Sequence, residues 1–167
     1  MADTIPSLWS DDISNDVLPP LAILHAQAEL LAQITKGLVE AEVITEYDST
    51  VEDGSIQHVQ HHVELTAPAL NAARYRILTV YHKRELVYPA SVEAECFEPS
   101  DYDDYESFSW PEALREEDFL KIMKTTLRSK KVTSLIHSLI ARSNEQRYLA
   151  GRPAADALSK KLNPKVE

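Results

Sequence analysis

The chain has 167 residues, of which 44% are hydrophobic and 26% charged, a composition typical of one globular domain with a hydrophobic core. The net charge of −10 opposes non-specific nucleic-acid binding, which depends on neutralising phosphates, so we expect no nucleic-acid partner. A single cysteine excludes an internal disulfide, and three glycines argue against a glycine-rich phosphate loop.

The sequence shows neither a signal peptide nor a membrane-spanning segment. Residues 1–12, MADTIPSLWSDD, lack a basic region followed by an apolar one. No apolar run approaches the roughly 20 residues that a membrane-spanning helix needs. We therefore expect a cytoplasmic protein without membrane association.

Charge is divided between two parts of the C-terminal half. Residues 93–118 contain eleven acidic residues and one basic residue, whereas residues 119–167 contain eleven basic and three acidic residues. Regions of opposite charge are expected to complement each other, either within one chain or across a homodimer.

Composition and hydrophobic period divide the chain into three segments. Residues 1–16 are polar and acidic and predict a flexible arm, and residues 151–167 are small, polar and proline-punctuated and predict a tail. Residues 17–150 predict a single domain. It opens with apolar residues at helical spacing, which predict a first helix over residues 18–35 that ends at Gly37.

Alternating polarity then predicts four β-strands, over residues 38–47, 56–66, 74–83 and 87–96. Their short connections imply an antiparallel meander. In the second strand His61 shares a face with the apolar residues, whereas His58 and His62 point to the other face. The third strand has apolar residues on both faces, so its register stays ambiguous.

Two helices are predicted after the strands. Residues 109–112, Ser-Trp-Pro-Glu, fit a capping box, and Ser129 is expected to cap the helix that follows. The sequence therefore predicts an α+β domain: an N-terminal helix, a four-stranded antiparallel sheet and two C-terminal helices packed on one sheet face.

The segment IQHVQHHVEL, residues 56–65, raises the question of a metal site, because it holds three of the six histidines. On a strand, His58 and His62 lie about 13 Å apart, so one metal ion cannot bind both. A pair between His62 and a cross-strand partner such as His82 stays open. The main interpretation is that these histidines are structural or exposed to solvent.

A glutamate-rich face of the sheet is the second candidate site. Clustered carboxylates raise one another's pKa, and enzymes use such clusters for acid–base chemistry or to hold magnesium. The glutamates of this face are the basis of an alternative function, a divalent-metal-dependent hydrolase or nuclease. Its predicted ligands are His62, Glu64, His82, Glu93 and Glu95. The competing interpretation is a solvated polar face without catalytic chemistry.

The segment FEPSDYDDYESFSW, residues 97–110, combines acidic and aromatic residues. Exposed aromatic side chains supply contact area, and acidic side chains attract basic partners. The same segment could instead dock on its own protein with the aromatic residues inward. The predicted partner-binding residues are Asp101, Tyr102, Asp104, Tyr105, Phe108 and Trp110.

Catalysis has little support, because no spacing of residues indicates a nucleophilic triad and Cys96 is predicted to point inward. We expect no cofactor. The leading hypothesis is a non-enzymatic interaction module of the accessory, immunity or antitoxin type. It would bind a protein partner through the acidic segment 97–110, which favours a partner with a basic surface. Self-association through an open sheet edge, giving a homodimer, is a third interpretation.

Overall fold

The computed structural model describes residues 16–48, 58–71, 73–97 and 109–151. These residues form an α+β fold with three α-helices and a five-stranded antiparallel sheet, which confirms the predicted class. In chain order the elements are α1 (Pro20–Ile34), β1 (Glu40–Asp48), β2 (His58–Thr66), β3 (Arg74–Lys83), β4 (Ala90–Glu93), β5 (Glu112–Ala113), α2 (Glu116–Leu127) and α3 (Lys130–Gly151). Short 3-10 turns follow β2 and β4, at Pro68–Leu70 and Glu95–Phe97.

The strands lie side by side in chain order, so the sheet is a meander with β1 and β5 at its edges. The expected number of four strands is wrong, because Glu112–Ala113 forms a fifth strand instead of the start of a helix. Ala113 is fully buried against β4, and the Val92 amide donates to the Pro111 carbonyl (3.0 Å). Pairing with the sheet therefore replaces the predicted capping box, and α2 begins at Glu116.

The ends of α1 and the start of α3 follow from local sequence. Pro20 occupies the first turn of α1, where a missing amide proton costs no helical hydrogen bond. The chain leaves α1 through Gly37, whose φ of 71° suits a residue without a side chain. The hydroxyl of Ser129 accepts a hydrogen bond from the Val132 amide (3.3 Å), so Ser129 caps α3 as predicted.

Alternation along the strands gives the sheet two unlike faces, and we refer to them as the helix face and the polar face. On the helix face, buried side chains of β2, β3 and β4 pack against α1 and α2 in one hydrophobic cluster, whose members include Ile23, Leu24, Val63, Leu78, Val80, Val92, Phe119 and Met123. A second cluster joins Val39 and Leu65 to Leu139 of α3. All three helices therefore contribute to a core on one side of the sheet.

A β-bulge in β3 explains the ambiguous register of that strand. Val63 pairs with Leu78 and the next residue, Glu64, pairs with Arg76, so Ile77 is an extra residue with no partner in β2. Because of this extra residue, Ile77 and Leu78 both contribute to the core. Ile77 and Leu78 are consecutive, so strict alternation would place them on opposite faces. The bulge lets both reach the helix face of the sheet.

The predicted arm and tail lie outside the described residues apart from Asp16 and Gly151. None of the helices formed by the described residues is both long and apolar enough to cross a bilayer.

Candidate functional site

The histidines of β2 divide between the two faces of the sheet. His61 faces the helices and His62 faces the polar side, as the strand period predicts, yet their exposed fractions are only 2% and 3%. His58, at the start of the strand, is exposed. Buried imidazoles need hydrogen-bond partners, and each of the two has a different set.

On the helix face, His61 pairs with His82 of β3. Their Nε2 atoms lie 3.0 Å apart and their ring centroids 5.1 Å apart. Each ring is fixed at its other nitrogen: His61 Nδ1 lies 2.9 Å from the Thr45 hydroxyl, and His82 Nδ1 lies 2.8 Å from the Lys83 carbonyl oxygen. The result is a continuous chain of hydrogen bonds from β1 through β2 to β3.

The chemistry of the Lys83 carbonyl decides where the protons of this chain lie. A carbonyl oxygen only accepts, so His82 must donate through Nδ1–H, and in neutral His82 the Nε2 atom is then an acceptor. His61 must therefore donate through Nε2–H, which leaves its Nδ1 atom to accept from the Thr45 hydroxyl. Two neutral imidazoles satisfy every polar atom of the chain, without a water molecule or an ion.

Burial disfavours a charge at this pair. Burial is the main cause that lowers the pKa of His61, from 6.5 to about 4, and the charges of His82, His25 and His62 lower it further. Of these three, His25 lies on α1 and is exposed. At neutral pH His61 is therefore uncharged.

On the polar face, His62 lies between a hydroxyl and a carboxylate. Its Nδ1 atom is 3.0 Å from the Thr79 hydroxyl, and its Nε2 atom is 3.3 Å from a carboxylate oxygen of Glu46. Nucleophilic triads share this order of groups. Thr79, however, is only 4% exposed, so a substrate would reach its hydroxyl only after the sheet had moved.

The carboxylates of the polar face contact cations and a phenol rather than one another. Glu64 is 3.2 Å from Arg76 and 3.6 Å from Arg74, and Arg74 also donates to Glu42. The Tyr81 hydroxyl donates to Glu93, on the neighbouring strand β4. Burial, the hydrogen bond to Glu93 and the charge of Glu93 together raise the pKa of Tyr81 to about 12.

The five predicted metal ligands do not lie at one point. His62, Glu64 and Glu93 are on the polar face, but His82 is on the helix face and bonds to His61, so the suggested His62–His82 pair does not form. Glu95 lies in the 3-10 turn after β4 and contacts Lys131 (2.6 Å). Within the described parts of the chain, no three histidine, cysteine or acidic side chains are grouped so as to hold a metal ion.

Of the predicted partner-binding residues, only Trp110 can be placed. It is half-buried and lies just before β5. Asp101, Tyr102, Asp104, Tyr105 and Phe108 lie outside the described residues.

A cleft of about 540 Å³ opens between the end of the sheet and the start of α3. Its lining includes Cys96, which is half-buried, together with Arg76, Lys130 and Lys131. Arg76 contacts Glu64 and Lys131 contacts Glu95, so carboxylates offset part of the positive charge of the cleft.

Sequence reasoning missed the two threonines that fix the buried histidines. Thr45 lies directly opposite His61, and Thr79 lies directly opposite His62, in the registers of the two strand pairs. A threonine facing a histidine across an antiparallel pair is therefore the signal that could have found these networks, once the register was known.

Comparison with protein-family models, with curated proteins and with solved structures finds no match to this chain.

Proposed function

We propose that this chain is a non-enzymatic, cytoplasmic protein-interaction module, of the accessory, immunity or antitoxin type. The observation that carries the proposal is the surface of edge strand β1. None of its nine residues is buried, and Glu40, Glu42, Glu46 and Tyr47 are exposed. A long, unburied strand at the edge of a sheet is a surface on which another polypeptide can pair.

Two further properties support an interaction role. The chain carries a net charge of −10, which raises the rate at which basic partners are encountered. The segment 97–110 adds aromatic residues to this acidic character, and aromatic side chains commonly supply much of the binding energy of interfaces. We therefore propose that this segment forms part of the partner-binding surface.

The proposal is tested by affinity purification of the full chain after chemical cross-linking in cells. The variant in which Tyr102, Tyr105 and Phe108 are all replaced by alanine should lose the cross-linked partner and keep the circular dichroism and thermal unfolding of the parent chain. Tyr148→Ala is the matched control, because Tyr148 is an aromatic residue on α3 that is 64% exposed. Loss of the fold in the triple variant would show that the segment is structural and would remove its role in binding.

A further inference from the structure

The outer edge of β1 is the longer of the two edges of the sheet. β1 pairs with β2 along all nine residues, Glu40–Asp48, and has no neighbour among the described strands on its other side. The opposite edge, β5, is only two residues long. The sequence of β1, EAEVITEYD, contains no proline, glycine or lysine, and the bulge of the sheet lies between β2 and β3. Within β1 itself, proline, glycine, lysine and a bulge, which commonly block strand addition, are therefore missing, and the charged residues of the strand are all acidic.

Acidic residues recur at alternate positions along this edge. Glu40, Glu42, Glu46 and Asp48 all point to the polar face, because strand residues two apart share a face. The Glu42 and Glu46 side chains are 49% and 60% exposed, although Glu42 contacts Arg74 and Glu46 lies near His62. A strand added beside β1 would have its own alternate side chains directly opposite this acidic row.

The row of Glu40, Glu42, Glu46 and Asp48 favours a segment of another protein over a second copy of this chain as the strand that pairs with β1. A second copy would pair antiparallel through a two-fold axis, so that even-numbered residues of β1 would meet even-numbered residues of its copy. In a pairing centred on Ile44, for example, Glu42 would lie opposite Glu46 and Glu40 opposite Asp48. Like charges directly opposite one another are destabilising, so the charge pattern opposes self-association at this edge.

We propose that the outer edge of β1 binds an extended, basic segment of a partner protein, which adds to the sheet as a further strand with lysine or arginine at every second position. Backbone hydrogen bonds to the edge supply the pairing, and the alternate basic side chains meet the acidic row. The intervening side chains of the segment lie on the helix side, beside the exposed ring of Tyr47. This inference rests on the proposed function and specifies the partner's chemistry.

The probe is a fluorescent nine-residue peptide of alternating lysine and valine with blocked ends, measured by anisotropy against the full chain. Two matched peptides carry N-methyl groups on the backbone nitrogens of all lysines or of all valines. Methylation leaves the charge unchanged but blocks hydrogen bonding along one edge of the peptide, and the edge used depends on whether pairing is parallel or antiparallel. We expect binding of the parent peptide and loss of binding for one of the two methylated peptides.

The protein variants test the acidic row separately. Glu40→Gln, Glu46→Gln and Asp48→Asn together should weaken binding of the parent peptide by about tenfold or more. The control is a triple variant with the same change in net charge on exposed helical residues, Glu29→Gln, Glu117→Gln and Glu145→Gln, which should bind like the parent chain. Hydrogen exchange should also show slower exchange of β1 amides when the peptide is bound.

Three results would overturn the inference: no binding of the parent peptide, equal binding of all three peptides, or equal losses in the two triple variants. Equal binding or equal losses would mean that the attraction is only between net charges. These failures differ from failure of the proposed function, which would appear as the lack of any specifically cross-linked partner. A partner that still cross-links to the β1 triple variant would keep the function and reject this binding mode.

Discussion

The Nε2 atoms of His61 and His82 lie 3.0 Å apart in a buried position between the sheet and its helices, and one proton lies between them. The pair belongs to a chain of hydrogen bonds that begins at the Thr45 hydroxyl and ends at the Lys83 carbonyl. A proton added at His82 Nε2 would place two N–H groups face to face, and a proton added at His61 Nδ1 would require the Thr45 hydroxyl to turn and accept instead of donating. The hydrogen bonds therefore fix one tautomer of each ring, and burial opposes a positive charge on His61.

The stability of the protein should fall as the pH falls from about 6.5 to about 4. In the folded chain the pKa of His61 is lowered from 6.5 to about 4, so between these values the unfolded chain binds a proton that the folded chain does not. The stability that comes from keeping His61 uncharged is fully present above pH 6.5 and is lost as the pH falls towards 4. It amounts to at most about 3 kcal/mol.

Urea unfolding at a series of pH values measures this loss. His61→Asn should flatten the dependence of the free energy of unfolding on pH in this range, whereas His58→Asn, at an exposed position of the same strand, should leave it unchanged. An unchanged slope in His61→Asn would contradict the assignment.

Removal of His82 should destabilise the fold more than removal of the Thr45 hydroxyl. His82→Ala leaves the buried His61 Nε2–H without an acceptor, a loss of about 1–3 kcal/mol, and adds a cavity. Thr45→Val removes one hydrogen bond from a half-buried position and should cost about 1 kcal/mol. Because the two partners act on the same imidazole, the double variant should cost less than the sum, which chemical denaturation can measure.

Tyr81 should ionise only in strong base. Its pKa is raised to about 12 by burial and by the hydrogen bond to Glu93, so the folded chain holds a proton that an unfolded tyrosine loses near pH 10. The resulting stability is complete below pH 10 and is lost as the pH rises towards 12. Ultraviolet titration should show one fewer late-ionising phenol in Tyr81→Phe, and in Glu93→Gln this phenol should ionise at lower pH. A Tyr81 that titrates near pH 10 in the parent chain would exclude the contact.

Divalent metals should not form a one-to-one complex that depends on His62. His62 and His82 occupy opposite faces of the sheet, and Glu64 and Glu93 are engaged by Arg76 and Tyr81. Native mass spectrometry with zinc, magnesium or manganese should show no metal adduct on the parent chain, nor on His62→Ala. A stoichiometric adduct lost in His62→Ala would instead support the metal-dependent hydrolase or nuclease.

The sequence was sufficient for the features that depend on period and on local residue chemistry. Helical and strand periods predicted α1 and the first four strands, and the faces taken by His61 and His62 followed from strand alternation. The turn at Gly37 after α1 and the cap at Ser129 are local as well, because each needs only the adjacent helix.

Features that depend on long-range pairing were not predictable in this way. The strand Glu112–Ala113 exists because β4 offers it an edge, and two residues are too few to carry a period. The partner of His61 depends on the register between β2 and β3, which the bulge at Ile77 shifts by one residue. Without that register, the sequence suggested a pair between His62 and His82. The two side chains in fact lie on opposite faces of the sheet.

The bulge at Ile77 also determines which residue of β3 can be deleted without disturbing the sheet. Deleting residue 77 joins Arg76 directly to Leu78, and both keep their partners, Glu64 and Val63, in a regular ladder. Deleting another residue near the centre of β3, such as Val80, would remove the bulge as well, but each residue between the deletion and the bulge would move to the other face of the sheet, with Thr79 taking the buried place of Val80. Position 77 is thus the one at the centre of this strand whose loss should leave every remaining side chain on its own face of the sheet.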